Sequence, residues 1–214
     1  SGLKGNSMII AIDGPSAAGK GTLAKGLADH FGLEWVDTGS IYRLVALKHL
    51  AEGLDPLTAA QWVHGHATKD DFANPRLKER EVGATASRMA AIDGVRPLMV
   101  QVMRKLAQMA ENGAVLDGRD IGTHVYPDAD IKLHVTANDT IRAERRAKEL
   151  QSKGFDVTTE AVLGDLRERD ARDMTRKEAP LRPAEDAIII DTSDLIAGEM
   201  VAHALALIAE NREA

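Results

Sequence analysis

The chain is 214 residues long, 44% hydrophobic but only 3% aromatic, with a formal net charge of -6 and no cysteine. That length accommodates one compact domain with an elaboration or two around an aliphatic core. The charge argues against a surface that coats nucleic acid, and the missing cysteines exclude disulfides and thiolate metal sites. No run approaches the length of a membrane span and no secretory signal is visible, so the expectation is a cytoplasmic enzyme without nucleic-acid or membrane partners. Ser1–Ser7 reads as an expression remnant or a frayed N-terminus ahead of Met8.

Met8–Ile12 is a near-continuous apolar run, as suits a strand buried on both faces. The segment Gly14-Pro15-Ser16-Ala17-Ala18-Gly19-Lys20-Gly21-Thr22 follows, and a helical pattern covers Lys20–His30. Strand, glycine-rich loop and helix are the context of a phosphate-binding loop. Gly14 and Gly19 let the backbone turn its N–H groups inward, where they and the positive helix end cradle polyphosphate oxygens. Lys20 reaches the β- and γ-phosphates as a point charge. Gly21 stands where Ser or Thr usually ligates magnesium, and Thr22 supplies a hydroxyl one residue later.

A second strand, Glu34–Val36, leads into Asp37-Thr38-Gly39-Ser40-Ile41-Tyr42-Arg43. Ligands in open α/β folds bind at the carboxyl edge that this loop leaves. Arg43 falls one turn into the next helix, where its fork can hold a phosphate. Alternatively Thr38 or Ser40 caps the helix and Arg43 faces solvent. Helical patterns at Ile41–Ala51, Leu57–His64, Leu77–Ala91 and Val95–Glu111 then make residues 40–112 an excursion from the sheet. A third strand, Ala114–Leu116, ends in Asp117-Gly118-Arg119-Asp120-Ile121-Gly122. An Asp closing such a strand in a phosphate-loop protein usually faces magnesium. Arg119 and Asp120 project toward the same cleft, unless this is an ordinary loop of small and charged residues.

The fourth strand, Ile131–Val135, precedes a helix over Asp139–Ser152 that opens with Arg142, Arg145 and Arg146. Arg142 and Arg146 share a face and either meet the nucleotide base and phosphates or lie solvated. Lys153-Gly154-Phe155 reads as a mobile tip. The following helix, Thr158–Thr175, brings Arg169, Arg172, Asp173 and Arg176 onto one stripe at ~100° per residue. Pairs Glu168–Arg172 and Arg169–Asp173 would make that stripe a solvated face, but they leave Arg176 over. Without phosphate charge, Arg142, Arg146, Arg169 and Arg176 are expected to repel one another and hold this region open. Ala187–Ile190, like Met8–Ile12 a near-continuous apolar run that suits a strand buried on both faces, and the helical pattern Ala197–Asn211 complete the chain. Strands separated by helices imply an α/β fold with a parallel sheet covered on both faces.

Together the segments Gly14–Thr22, Asp37–Arg43, Gly118-Arg119-Asp120-Ile121-Gly122-Thr123, Lys153–Phe155 and Arg169–Arg176 resemble the nucleoside monophosphate kinases, and within them the bacterial cytidylate kinases. The order of these segments is the family's, and they cover nearly the whole chain from Met8. The loop with Gly21 is the family's own form.

The resemblance implies a P-loop kinase fold with five parallel strands, within a single domain over 8–214. Its core would be 8–39, 113–141 and 177–214, with a monophosphate-binding excursion at 40–112 and a lid at 142–176. It implies ATP as phosphoryl donor with Mg2+, CMP or dCMP as acceptor, and a monomer. Residues 14–22 with Arg142 and Arg146 would hold ATP, and Thr22 and Asp117 the metal. Arg43, Arg119, Arg169 and Arg176 would clamp the acceptor and transferring phosphates, with Lys20. Thr38 and Tyr42 would join the acceptor site, Asp173 would contact the ribose, and Ser87, Arg96 and Asp120 would read cytosine. Chemically, Asp120 can accept from the cytosine amino group and Arg96 can donate to N3 and O2, features that uracil partly reverses. Ser87 and Arg96 can equally be a helix contact and a helix-start arginine before Pro97. Many relatives carry short strands inside the excursion, and Ala67–Ala84 is too short and too helical to hold them. The competing readings are a uridylate or broad-specificity monophosphate kinase, and an ATP-binding regulatory switch.

Overall fold

The computed structural model describes residues 7–213. Of the N-terminal remnant expected above, all but Ser7 lies outside the described residues. The chain forms two compact units, one made of the chain up to Trp35 and from Glu111 onward, the other of Val36–Ala110.

The first unit carries the sheet. Its strands are β1 (Met8–Asp13), β2 (Glu34–Asp37, which runs on into the second unit), β3 (Gly113–Gly118), β4 (Ile131–Thr136) and β5 (Ile188–Asp191). They lie in the order β2-β3-β1-β4-β5, and β1 pairs in parallel with both β3 and β4, as β4 does with β5. All five expected strands are present, each within a residue or two of its expected bounds. β1 is buried on both faces over residues 10–13, as its apolar run implied, whereas β5 lies at the sheet edge beside β4 and leaves Ile189 exposed, so its apolar run is not buried on both faces. The connections from β1 and β3 leave toward opposite edges, so a crevice opens at their carboxyl ends. Register places Asp13 beside Gly118 on one side and His134 on the other, with Asp117 beside Ile12.

Helix α1 (Lys20–Phe31) turns Leu23, Ala24, Leu27 and Ala28 into the core, where they meet Ile10, Ile12, Val115, Leu133 and Ile190. The last helix of this unit, Ala197–Glu213, adds Ala204 and Ile208 to the same cluster. A helical pair, Asp139–Ser152 and Thr159–Thr175, has a small core of its own. Ala143, Ala147 and Leu150 of one face Val162 and Leu166 of the other.

The second unit is helical, and among its described residues no strand follows Asp37, in line with the short excursion expected. It contains α2 (Thr38–Glu52), α3 (Pro56–His66), α4 (Lys69–Phe72), α5 (Arg80–Met89) and α6 (Val95–Met109). Continuing this order, the helical pair of the first unit is α7 and α8 and its last helix is α9. Helix α2 packs on α3, α5 and α6. The expected Leu77–Ala91 helix starts later. Asn74 caps a short 3-10 turn at Pro75–Lys78, and Glu79 is extended before α5 begins.

Candidate active site

The phosphate loop is built as the sequence implied. Gly14 sits at φ +152, and a Cβ there would stand 2.0 Å from the Val135 carbonyl oxygen of β4. No other residue fits so close to that backbone. Ala17 is held at φ +59, a left-handed conformation that costs a non-glycine residue about 1 kcal/mol or more. Helix α1 starts with no side-chain cap and no acidic residue in its first turn. Its first N–H groups and positive end are thus left for an anion.

Lys20 is buried and donates to the Pro15 carbonyl at 2.7 Å. Burial, then the nearby Arg119 and Arg169, push its ammonium well below the usual lysine range, against Asp117 and Asp13, which hold it up. Arg119 reaches across the loop. Its Nη2 donates to Ser16 Oγ at 2.8 Å, and its Nε to Asp173 Oδ2 of α8 at 2.9 Å. Arg176, at the end of α8, brings Nη1 to 3.7 Å from Asp173 Oδ1 and Nη2 to 3.9 Å from Asp120 Oδ1. Burial raises the Asp173 carboxyl, but Arg119, Arg169 and Arg176 outweigh it and hold the group below its ordinary value. Four expected residues of the first unit, Lys20, Arg119, Arg169 and Arg176, therefore share one electrostatic neighbourhood with Asp117, Asp120 and Asp173. Asp117 accepts from Trp35 Nε1 at 3.0 Å.

The stripe on α8 differs from the expected one. Asp173 is buried, Arg176 falls just past the helix, and Arg172 pairs with Glu168 at 2.7 Å. The expected mutual repulsion is also corrected. Arg142 meets Asp170 at 2.7 Å, Arg146 meets Glu149 at 2.7 Å, and Asp120 and Asp173 face Arg176. Asp120 and carboxylates along α7 and α8 face these cations without any ligand. Arg142 and Arg146 do not share an environment. Arg142 is 5% exposed and also donates to the Ala137 and Ser16 carbonyls, whereas Arg146 is half-buried.

Lys153-Gly154-Phe155 is a helix stop. Phe155 N–H bonds the Leu150 carbonyl and Gly154 N–H that of Gln151, with Gly154 at φ +85. This is the left-handed glycine termination of α7, which explains Gly154 without a hinge.

In the second unit, Asp37 rather than Thr38 or Ser40 caps α2, accepting from Ser40 N at 3.3 Å and Oγ at 2.6 Å. Arg43 is accordingly not a solvent-facing residue. It is half-buried and donates from Nη1 to the Leu77 carbonyl at 2.7 Å. Ser87 on α5 is buried, as is Thr38. Arg96 in the first turn of α6 is 3% exposed, with its guanidinium 5.3 Å from the Tyr42 ring centroid.

Several residues escaped the sequence reading. Asp13 is buried, accepting from Ile121 N and Gly122 N at 2.8 Å each. Burial, and more weakly Asp120, raise it to about 6 against those N–H groups and Lys20. An acid just ahead of the loop's first glycine was its only sequence signal. Thr192, after β5, donates its hydroxyl to the Ala18 carbonyl at 2.7 Å and accepts from Arg145 Nη1 at 3.0 Å. An open depression beside it is lined by Thr136, Asn138, Thr140, Asp191, Ser193 and Asp194. Among the described residues, no helix is long and apolar enough to cross a membrane.

A family model described as cytidylate kinase matches residues 10–210. A curated relative from Paramagnetospirillum magneticum named cytidylate kinase is 50% identical over 210 residues, covering 96% of this chain and all of its own length. Another of that name, from Methylocella silvestris, is 50% identical over 190 residues and 88% of each chain. Among solved structures, a Thermus thermophilus protein superposes with a TM-score of 0.51 at 21% identity, over 96% of this chain and 98% of that one. An uncharacterised Eubacterium ventriosum protein gives 0.53 at 15% identity, over 94% and 98%. These two share the fold.

Proposed function

Since the chain belongs to the cytidylate kinase family, we propose that it transfers the γ-phosphoryl group of ATP to CMP or dCMP, giving ADP and CDP or dCDP. The observation that carries this reading is the gathering of Lys20, Arg119 and Arg169 at an uncapped helix start. Burial first, and then the charges of Arg119 and Arg169, depress Lys20, a cost that a polyphosphate offsets.

ATP rests its phosphates on residues 14–22, with Lys20 against the β- and γ-oxygens. Its base has room in the depression beside Thr192. The acceptor phosphate is held by Arg43, Arg119, Arg169 and Arg176. Thr38 and Tyr42 support that grip, and Asp173 takes the ribose once Arg119 turns to phosphate. Ser87, Arg96 and Asp120 read the base. Arg142 and Arg146 come to the donor only by exchanging Asp170 and Glu149 for phosphate.

An acceptor oxygen attacks the γ-phosphorus in line, and the bond to the β–γ bridging oxygen breaks with its electron pair leaving on ADP. The attacking oxygen belongs to an ionised phosphate, so no general base is needed. Positioning and charge neutralisation supply the rate. Asp117 is buried with Oδ1 bonded to Trp35 Nε1 and Thr22 is exposed, so these two oxygen groups would hold magnesium partly through water. Among the described residues no cluster of three acidic or His groups could hold a metal, so ATP and water would complete its shell, as this ion prefers. When bound, magnesium would supply positive charge that offsets the charge of the ATP phosphates.

The test is a coupled assay across CMP, dCMP, UMP and AMP, with Lys20→Ala as the matched variant. The cytidine nucleotides should give the highest kcat/KM, with negligible ATP turnover in their absence. Lys20→Ala should lose about 10²–10³-fold in kcat. It should also fold at least as well, because it removes a buried charge. Equal rates with UMP would favour a broad monophosphate kinase, and turnover independent of acceptor a regulatory switch.

A further inference from the structure

We infer that Gly83 is a positioning residue for the acceptor phosphate, because its missing side chain leaves the ledge on which the Arg43 guanidinium lies. The inference rests on the reading of Arg43 as a phosphate ligand. Gly83 is in the interior of α5, with a regular bond from its N–H to the Glu79 carbonyl at 3.1 Å, and its φ is not positive. The backbone therefore does not require glycine, and glycine weakens a helix interior relative to alanine. What requires it is outside the helix. A methyl group on Gly83 would stand 3.0 Å from both Nη1 and Nη2 of Arg43 and 3.1 Å from Cζ.

Gly65 in α3 and Gly164 in α8 are different, since a Cβ there meets nothing within 4 Å. The Arg43 guanidinium is thus seated between the α5 backbone and the Leu77 carbonyl, which accepts from Nη1 at 2.7 Å. Both contacts come from one short stretch, the 3-10 turn and the first turns of α5, so they aim the fork as a unit. A side chain at position 83 would not unfold this arrangement. The Arg43 guanidinium, at the end of a long side chain, must give by a few tenths of an ångström, so the effect falls on where the fork points. Bidentate grip on a phosphate depends on that direction.

The experiment compares Gly83→Ala with Arg43→Ala, the double variant, and Gly65→Ala as a control in the same unit. Gly83→Ala should raise the KM for CMP by about tenfold, as misplacement of a positioning group does. Its KM for ATP should stay within about twofold and its thermal midpoint should not fall. The effect should vanish when Arg43 is already Ala. Gly65→Ala should leave both KM values unchanged. An unchanged KM for CMP in Gly83→Ala, with a raised one in Arg43→Ala, overturns this inference alone. An unchanged KM in Arg43→Ala overturns the reading of Arg43 beneath it. A lowered midpoint, or effects that add in the double variant, would make Gly83 a packing residue of α5 and also overturn the inference.

Discussion

A carboxylate at Asp120 and an amide in its place offer different faces to a pyrimidine. Asp120 is 3% exposed and directly follows Arg119, whose guanidinium spans Ser16 and Asp173. A carboxylate accepts from an amino group, whereas a carbonyl offers it only a second acceptor. Asp120→Asn can turn either face, so it should lower kcat/KM for CMP and shrink the CMP-to-UMP ratio by about tenfold or more, leaving the KM for ATP within about twofold. A steady-state comparison of both acceptors decides this, and an unchanged ratio would show that Asp120 does not read the base. Lys20, Asp117, Arg119 and Asp120 were legible because each lies at or beyond the carboxyl end of a strand. Asp13 was not, because the apolar run ends at Ile12. Its role depends on Ile121 and Gly122, more than a hundred residues away in sequence. Gly83 was hidden for the same reason, since the atoms that exclude a side chain there belong to α2.

Elements with a sustained period were the legible ones. The five strands and the long helices follow from apolar runs and from repeats near 3.6 residues. The four-residue α4, the 3-10 turn at Pro75–Lys78 and the π-helical turn at Ile121–Val125 were missed, since such short pieces carry no period. The helical pair α7 and α8 was legible in outline but not in mechanism. Its tip is the Gly154 termination of α7. Its base is tied to the phosphate loop through Arg142 to the Ser16 carbonyl and through Arg145 and Thr192 to that of Ala18. Its cations are already neutralised by Asp170, Glu149 and Asp173. The part that must change on binding is the end of α8, where Asp173 now takes Arg119. A bisubstrate mimic should therefore slow hydrogen exchange in residues 169–181 by about tenfold or more, and change 153–155 by less than about twofold. Exchange measured by mass spectrometry with the mimic, with CMP alone and without ligand checks this. Strongest protection at 153–155 would mean that the glycine is a hinge after all.

At the scale of the whole molecule, the two units each carry one tryptophan, Trp35 in the first and Trp62 in the second. Each unit can therefore be followed separately by fluorescence, with Trp62→Phe leaving Trp35 as the reporter of the sheet. Asp13 ties the stability of that unit to pH. Burial raises its carboxyl from 3.8 to about 6 in the folded chain. The folded protein then binds a proton that the unfolded chain has released between those values. Stability from this group is full below about pH 4 and is lost as pH rises through about 6. The size is about 3 kcal/mol, at about 1.4 kcal/mol per unit. His134, the register partner of Asp13 on β4, works in the other direction. Burial and then Lys20 lower it, so its contribution is lost as pH falls. Subtracting Asp13→Asn from the parent cancels His134 and leaves Asp13. Urea unfolding followed at Trp35, from about pH 4 to about pH 8, should show the parent losing stability relative to Asp13→Asn up to about pH 6 and running parallel above it. Parallel curves across the whole range would mean that Asp13 ionises as it does in the unfolded chain. The bonds from Ile121 and Gly122 would then fully offset its burial.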